Sequence, residues 1–478
     1  MKKTKIVTTI GPATKSVENL VKLSKAGMNI ARINFSHGSR EELIKIAENV
    51  KKAEKKSGKI IGLLQDLQGP KIRTGDFKGG EISLKNNSIV EITSKNILGT
   101  AEKFSINVKT LYQDTKVGDR IILNDGYQEL KITKKNPKSK TIFAKVIAGG
   151  KIKDRRGASF PDSNLSLSSL TKKDKEDIDW FATKFKPDFI AFSFVKTAKD
   201  VKELKNILKK KNLNPMIIAK METAEGIRNF DEILNLVDGI MVARGDLGVE
   251  FPAEELPFLQ KMMIKKANQA GKPVITATQM LESMIQNPVP TRAEVTDIAN
   301  AILDGTDAVM LSAETSVGKY PFKAVEIMSR VAIETENDIK RDFEKIHVNA
   351  GLPQENPKIS EVITKNAVKT AEAIEVENIA VFTETGYTAL NVSKFRPSQD
   401  VFVFSPHKDV LRKTSISYGL FPANDEIVTT ISEAEENSRN FLIKNKKMRK
   451  NDNFVIVAGM PFRNSGSTNI IYVSEFRK

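Results

Sequence analysis

Cysteine is absent from the 478 residues, which excludes disulfides, thiolate catalysis and every Cys-ligated metal site. Histidine is scarce as well. His37, His347 and His407 lie far apart in sequence, so a His-rich zinc site is not expected, and any metal should be a hard cation held by carboxylates. No stretch approaches the ~18 uninterrupted apolar residues of a membrane span. Met1-Lys2-Lys3 has the basic start of a signal peptide, but Thr8, Thr9, Gly11 and Pro12 interrupt any apolar core behind it. The expected location is therefore cytoplasmic, with no membrane partner. Low-complexity tracts and short repeats are missing, as is any basic stripe interleaved with aromatics, so a nucleic-acid partner is not expected either.

What is present in excess is positive charge. Lys and Arg outnumber Asp and Glu by 76 to 59, a formal +17, which favours an anionic partner without naming one. Clusters such as Lys51-Lys52, Lys55-Lys56, Lys209-Lys210-Lys211 and Lys446-Lys447 read as solvated surface, so the net charge carries little weight. The length allows two to four domains, each with its own core.

Eight short β-branched apolar runs recur, each followed by polar or Gly-bearing residues and a segment of helical period. They are Lys5–Ile10, Asn29–Asn34, Ile60–Asp66, Phe189–Phe194, Met216–Lys220, Gly239–Ala243, Pro273–Thr278 and Ala308–Ser312. Most neighbours start roughly 25 to 35 residues apart, as repeated βα units do. The third and fourth are more than 120 residues apart (Asp66 to Phe189), which marks an inserted domain. Without it, the chain to about residue 345 approaches the ~250 residues of a (β/α)8 TIM barrel. The insert, Lys71–Ser169, carries the β-rich runs Glu81–Thr93, Arg120–Thr133 and Thr141–Ala148, broken at Asn86-Asn87, Asn124-Asp125-Gly126 and Asn136-Pro137. It is expected to be a small antiparallel β-barrel able to swing as a lid. After a loop with Pro353 and Pro357, Val362–Glu375, Asn378–Phe382, Asp400–Phe404 and Phe454–Ala458 alternate as helix and strand. The expected domains are thus 1–70 and 170–345 for the barrel, 71–169 for the lid, and 346–478 for a C-terminal α/β domain.

In such a barrel the chemistry sits at the carboxyl ends of the strands, and polar residues gather there in six units. Arg32, Asn34 and Ser36 share one face after the second run, Asp66 follows the third, and Lys220 and Glu222 share a face after the fifth. Arg244-Gly245-Asp246 follow the sixth run, Thr276 and Thr278 end the seventh, and Ser312 and Glu314 follow the eighth. One charged strand end is most often a solvated terminus. Six in register are harder to reduce to that. Glu222 and Asp246 can hold Mg2+ or Mn2+ while Lys220 faces substrate oxygens, which suits phosphoryl transfer or enolate stabilisation. Gly245 would let a phosphate or carboxylate approach the backbone amides.

Over nearly its whole length the chain resembles the pyruvate kinase family. The segments Lys5–Pro12 (KIVTTIGP), Asn29–Gly38 (NIARINFSHG), Ile218–Ile233 (IAKMETAEGIRNFDEI), Gly239–Pro252 (GIMVARGDLGVEFP), Ala277–Met284 (ATQMLESM) and Ser312–Pro321 (SAETSVGKYP) carry the likeness, in the family's order. The resemblance implies transfer of a phosphoryl group from phosphoenolpyruvate to ADP, giving ATP and, once the enolate is protonated, pyruvate. It implies that Lys220 neutralises the migrating group, that Glu222 and Asp246 hold the divalent ion, and that Arg32 binds the phosphate. The Gly245 and Asp246 amides with Thr278 would hold the carboxylate end. Ser312 and Glu314 would belong to a relay behind the enolate face. Arg73 at the lid hinge, Arg156 in the lid and His37 nearby would embrace the nucleotide, with lid closure excluding water.

Several residues depart from the family pattern. The monovalent-cation site corresponds to Asn34, Ser36 and Asp66, but where K+-requiring members usually read Asp-Thr-Lys-Gly-Pro-Glu this chain reads Asp66-Leu67-Gln68-Gly69-Pro70-Lys71. Lys71 would put a tethered ammonium beside that position, so K+ is expected not to be required. The lid's return segment, Arg155-Arg156-Gly157-Ala158-Ser159-Phe160-Pro161-Asp162, differs from the usual Lys-Gly-Val-Asn-Leu-Pro-Gly, and Thr223 replaces a common Asn. Thr383, Thr385, Gly386 and Thr388 resemble an effector-phosphate loop for a sugar phosphate or AMP, which Asn464–Asn469 would complete or flank as a hairpin. A homotetramer is implied, and the additional phosphotransfer-like domain of some relatives is expected to be absent. Two rival readings are weaker. A Mg2+-dependent pyruvate-enolate lyase or aldolase on the same barrel leaves the lid, Arg73 and the C-terminal domain without a reason. A non-catalytic basic binding protein leaves the intact polar set without one.

Overall fold

The computed structural model describes residues 1–341, 357–424, 427–463 and 468–475. His347, Pro353, the 345/346 boundary and residues 464–467 of the expected effector hairpin lie outside the described residues.

Eight parallel strands close into a barrel: Lys5–Thr9, Ile30–Asn34, Gly62–Asp66, Phe189–Phe192, Met216–Met221, Gly239–Ala243, Val274–Ala277 and Ala308–Leu311. Each pairs with its sequence neighbours, and the last with the first. Side chains alternate across a strand, so each one serves two cores. Val7, Ile30, Leu64, Ala191, Ile218, Met241, Ile275 and Met310 fill the barrel interior, while Ile6, Ala31, Leu63, Ile190 and Ile217 pack against the outer helices. The same alternation builds the mouth. Two residues beyond Val7, Ile30, Leu64, Ala191, Ile218 and Met310 stand Thr9, Arg32, Asp66, Ser193, Lys220 and Ser312.

The strands end a residue or two from the expected limits. Phe194 and Thr278 were expected inside their runs, yet both adopt positive φ, +53° and +69°, which strand geometry forbids. At these two strand exits the chain leaves the β region.

The insert leaves the barrel at Asp66 and returns before the helix that starts at Lys172. It folds as a six-stranded sheet and a two-stranded sheet around one apolar core that includes Ile82, Val90, Phe104, Ile121, Leu130 and Ile142. Asp125 and Gly126, with φ of +58° and +95°, are the central residues of a primed turn closed by the Tyr127 amide donating to the Asn124 carbonyl at 3.2 Å, which joins Arg120–Leu123 to Gln128–Asn136. One pair, Ile89–Thr93 with Lys103–Ser105, runs parallel where an antiparallel arrangement was expected. The outgoing and returning chains pair at the neck, where Arg73 bridges to Gly157 and the Thr74 amide donates to the Arg156 carbonyl at 2.9 Å.

The C-terminal sheet runs in the order Leu420–Pro422, Asp400–Phe404, Asn378–Phe382, Phe454–Ala458 and Ile470–Ser474, with the last strand antiparallel. This unit plugs the barrel base. Ile416 joins the interior core, and buried Lys5 of the first strand donates to the Leu420 carbonyl at 2.6 Å over the Phe421 ring. Arg396 reaches Asp307 at 2.9 Å and the Asn268 side chain at 2.7 Å, with both members of the ion pair buried. Removing one partner of such a pair leaves a buried charge uncompensated. Arg396→Met should therefore destabilise the chain by about 3–5 kcal/mol, read as a lowered urea midpoint, whereas an unchanged midpoint would show that the pair does not tether the domains.

Candidate active site

Arg32, from the second strand, donates through Nε to Asp66 Oδ2 at 2.6 Å and through Nη1 to Thr9 Oγ1 at 2.7 Å. Lys220, from the fifth strand, lies 3.4 Å from Asp66 Oδ1 and 2.8 Å from Glu222 Oε1, and it donates to Ser193 Oγ at 2.8 Å. Glu222 Oε2 accepts from the Phe194 amide at 2.7 Å. Two cations and two carboxylates from the second, third and fifth strands thus form one buried cluster, in which the Thr9 and Ser193 hydroxyls accept further N–H groups of the cations and the Phe194 amide donates to Glu222.

Burial works against charge here, and the partners restore it. Burial alone would strip the Lys220 proton, but Asp66 and Glu222 raise its pKa above the ordinary lysine value and keep it an ammonium. Burial would raise Asp66, yet Lys220 and Arg32 hold its carboxyl below the usual carboxylate range. At Glu222, burial wins and Asp246 adds to it against the pull of Lys220, pushing the carboxyl up to about 7.

The cluster forms the inner wall of a cavity of about 440 Å³ between barrel and lid. Arg32, Asn34, Ser36, Lys71, Lys220, Glu222 and Asp246 line it from the barrel side, and Arg73 and Arg156 from the neck. Asp66 is the buried hub behind Arg32 and Lys220 and does not line the cavity. His37 lies in the field of Lys71, Arg73 and Arg32, and burial together with those charges lowers its pKa. Lys71 is half-buried, and burial plus Arg73, Lys173 and Lys220 lower its pKa too. Asn34 Oδ1 is taken by the Ser36 amide at 3.0 Å.

Gly245, Thr278, Ser312 and Glu314 stand apart from the lining. The Gly245 amide donates to Thr278 Oγ1 at 2.8 Å, and Arg244 grips the Thr278 carbonyl at 2.7 Å. Glu314 is buried and accepts from the Ser312 amide at 2.7 Å and the Leu281 amide at 3.2 Å. Thr223 caps the helix Ala224–Arg228, its hydroxyl accepting from the Gly226 amide at 3.0 Å. In the C-terminal unit, Thr383 Oγ1 accepts from the Gly386 amide at 3.0 Å and Thr388 Oγ1 meets Thr468 Oγ1 at 2.7 Å. Thr385 and Gly386 border a second cavity of about 430 Å³ against the barrel base.

Sequence reasoning missed Ser193, Thr9, the Phe194 amide and Glu250. Ser193 and Thr9 were within reach, because each lies two residues past an inward apolar position on its own strand. Glu250 lines the cavity beside the lid's return strand, where its Oε1 accepts from the Ser159 hydroxyl, and burial pushes its carboxyl up to about 7.

No three His, Cys, Asp or Glu side chains among the described residues form a complete metal cage. Two carboxylates are nevertheless the usual protein share for Mg2+, which keeps waters and substrate oxygens as its other ligands. Asp246 is exposed to the cavity, without a hydrogen-bond partner among the described residues, and each Glu222 oxygen retains a lone pair beyond its present bond. The donor set fits a hard divalent cation.

The chain matches the family described as pyruvate kinase, barrel domain, over residues 1–325 and that described as pyruvate kinase, alpha/beta domain, over residues 361–474. It is 42% identical over 474 residues to the pyruvate kinase of Geobacillus stearothermophilus, covering 99% of this chain and 80% of that protein. With the pyruvate kinase of Staphylococcus aureus strain MRSA252 the identity is 41% over 478 residues, with the same coverage of 99% and 80%. The crystal structure of a pyruvate kinase from Cryptosporidium parvum superposes with a TM-score of 0.92 at 37% identity, covering 99% of this chain and 96% of that one. The chain belongs to the pyruvate kinase family.

Proposed function

We propose that the cavity between barrel and lid is where the phosphoryl group passes from phosphoenolpyruvate to ADP, giving ATP and pyruvate. The observation that carries this reading is the Lys220 ammonium, buried between Asp66 and Glu222 on the cavity's inner wall with Arg32 beside it. Phosphoryl transfer asks little covalent chemistry of a protein, so catalysis rests on positioning and on fixed charge.

Each residue then has a definite task. Arg32 holds the donor's phosphate, and Lys220 meets the charge that spreads over the migrating group. Because Asp66 neutralises part of each cation at rest, neither is left as a bare buried charge. Glu222 and Asp246 would hold Mg2+ or Mn2+, which supplies charge neutralisation at the enolate, carboxylate and phosphoryl oxygens. Thr278 and the turn at Gly245 and Asp246 orient the carboxylate end, while Ser312 and Glu314 form the polar layer behind it through which a proton reaches the enolate. Arg73 and Arg156, side by side on the neck, take the nucleotide phosphates with His37 near them, so lid position and nucleotide binding depend on one another.

Family members generally need Mg2+ and K+; for this chain we read the K+ requirement as lifted. Asp66 is already saturated by Arg32 and Lys220, and Lys71 supplies a tethered positive charge on the same wall. Residues 1–70 and 170–345 are read as the barrel, 71–169 as the lid and 346–478 as the regulatory and oligomerisation domain. A homotetramer, a cytoplasmic location and a sugar phosphate or AMP at Thr383, Thr385, Gly386 and Thr388 rest on the family resemblance. Gly386, at φ +89°, opens the helix Tyr387–Lys394 without a side-chain cap, which supports the effector assignment.

In an assay coupled to lactate dehydrogenase, Lys220→Ala should lower kcat by about 10²–10³-fold, the usual cost of one preorganised charge, and a loss of less than tenfold would contradict its role. Ser193→Ala removes one hydrogen bond to that ammonium. It should lower kcat by about tenfold and leave the KM for ADP unchanged, whereas full activity would show that Ser193 does not hold Lys220 in place. In tetramethylammonium buffer, adding K+ should change the rate by less than about twofold, and Lys71→Glu should make the enzyme K+-dependent. A many-fold K+ activation of the unaltered chain would remove Lys71 from this role.

A further inference from the structure

Glu250 is the last residue of the short helix Arg244–Glu250, which also carries Asp246, and its two carboxylate oxygens reach two other parts of the molecule. Oε2 accepts from the Ala224 amide at 3.1 Å, two residues past Glu222, and Oε1 accepts from the hydroxyl of Ser159. Ser159 sits on the lid's return strand, Ala158–Ser159, which pairs with the lid strand Arg120–Leu123 and continues directly from Arg156 and Gly157 of the neck. One carboxylate therefore joins the helix bearing Asp246, the turn after Glu222 and the strand that follows Arg156. A second contact reinforces the junction nearby, where Arg228 Nη2 donates to Asn164 Oδ1 at 3.0 Å.

We infer that Glu250 is a positioning residue for the transfer reaction, latching the lid to the metal-bearing turns so that Arg73 and Arg156 are seated against Glu222 and Asp246. The inference rests on the reading of this cavity as the transfer site. The latch explains why a half-buried carboxylate stands at a cavity wall where it touches neither cation of the central cluster: both its oxygens are committed to backbone and hydroxyl donors from opposite sides of the cleft. Glutamine can keep both bonds, accepting from Ala224 and donating to Ser159. Alanine keeps neither.

The test uses the full chain and two readouts. Because the sequence has no cysteine, Cys residues introduced at exposed Tyr127 on the lid and exposed Lys52 on the helix Arg40–Ser57 are unique labelling sites. Spin-label distances, measured with labelled chains diluted in unlabelled ones, should be narrowly distributed in the parent and in Glu250→Gln, and broadened in Glu250→Ala and in Ser159→Ala. Each alanine variant should raise the KM for ADP by about tenfold, the cost of a charge-assisted hydrogen bond, and the double variant should be no worse than the single ones. Unchanged distance distributions in both alanine variants, or losses that simply add in the double variant, would overturn the latch. Failure of the transfer reading itself would instead appear as a parent chain inactive with phosphoenolpyruvate and ADP, while the distance measurement would still report on the latch.

Discussion

The cluster of Arg32, Asp66, Lys220 and Glu222 governs the whole site. Four charged side chains taken from water would be ruinous singly, since each desolvation costs several kcal/mol. They persist because every charge faces an opposite one, the spare N–H groups of the cations are accepted by the Thr9 and Ser193 hydroxyls, and the Phe194 amide donates to Glu222. Such a network does little for stability compared with an apolar core. Its value lies in holding two cations at fixed positions where negative charge must be met, without reorganisation at the moment of transfer.

That requirement reaches back into the fold. The charged side chains come from the second, third and fifth strands, with Thr9 from the first and Ser193 just past the fourth, so the constellation exists only when the barrel has closed. The backbone bends to serve it. Phe194 at φ +53° turns its amide onto Glu222, and Thr278 and Gln279 at +69° and +54° hold the turn that faces Gly245. Residues in such sparsely populated conformations survive where their surroundings over-determine them, and here they fall at the strand exits. The lid neck follows the same logic, since pairing of Arg73 with Gly157 places two arginines at the cavity's outer wall.

Much of this was legible in the sequence. The eight runs stood out because a parallel barrel strand is buried on both faces and reads as a continuous apolar segment. The gap between Asp66 and Phe189 marked the insert, and Arg32, Lys220, Glu222 and Asp246 were visible as polar residues in register. Ser193 escaped because a single serine after an apolar run carries no charge to draw attention, although its parity with Ala191 placed it at the mouth. Glu250 was not legible at all. Its partners, Ser159 and Ala224, lie 91 and 26 positions away, on the lid and on another barrel unit, and no local pattern encodes that meeting. The parallel pair in the insert was hidden for the same reason, since pairing direction depends on the path between strands rather than on their composition.

The central claim is that Glu222 and Asp246 share one divalent ion beside the Lys220 ammonium. Anomalous diffraction from crystals grown with Mn2+ and phosphoenolpyruvate tests it most directly. A single strong peak within coordination distance of both carboxylates, with Lys220 Nζ facing the phosphate, is the predicted result. A peak elsewhere in the cavity, or none between those two side chains, would contradict the account.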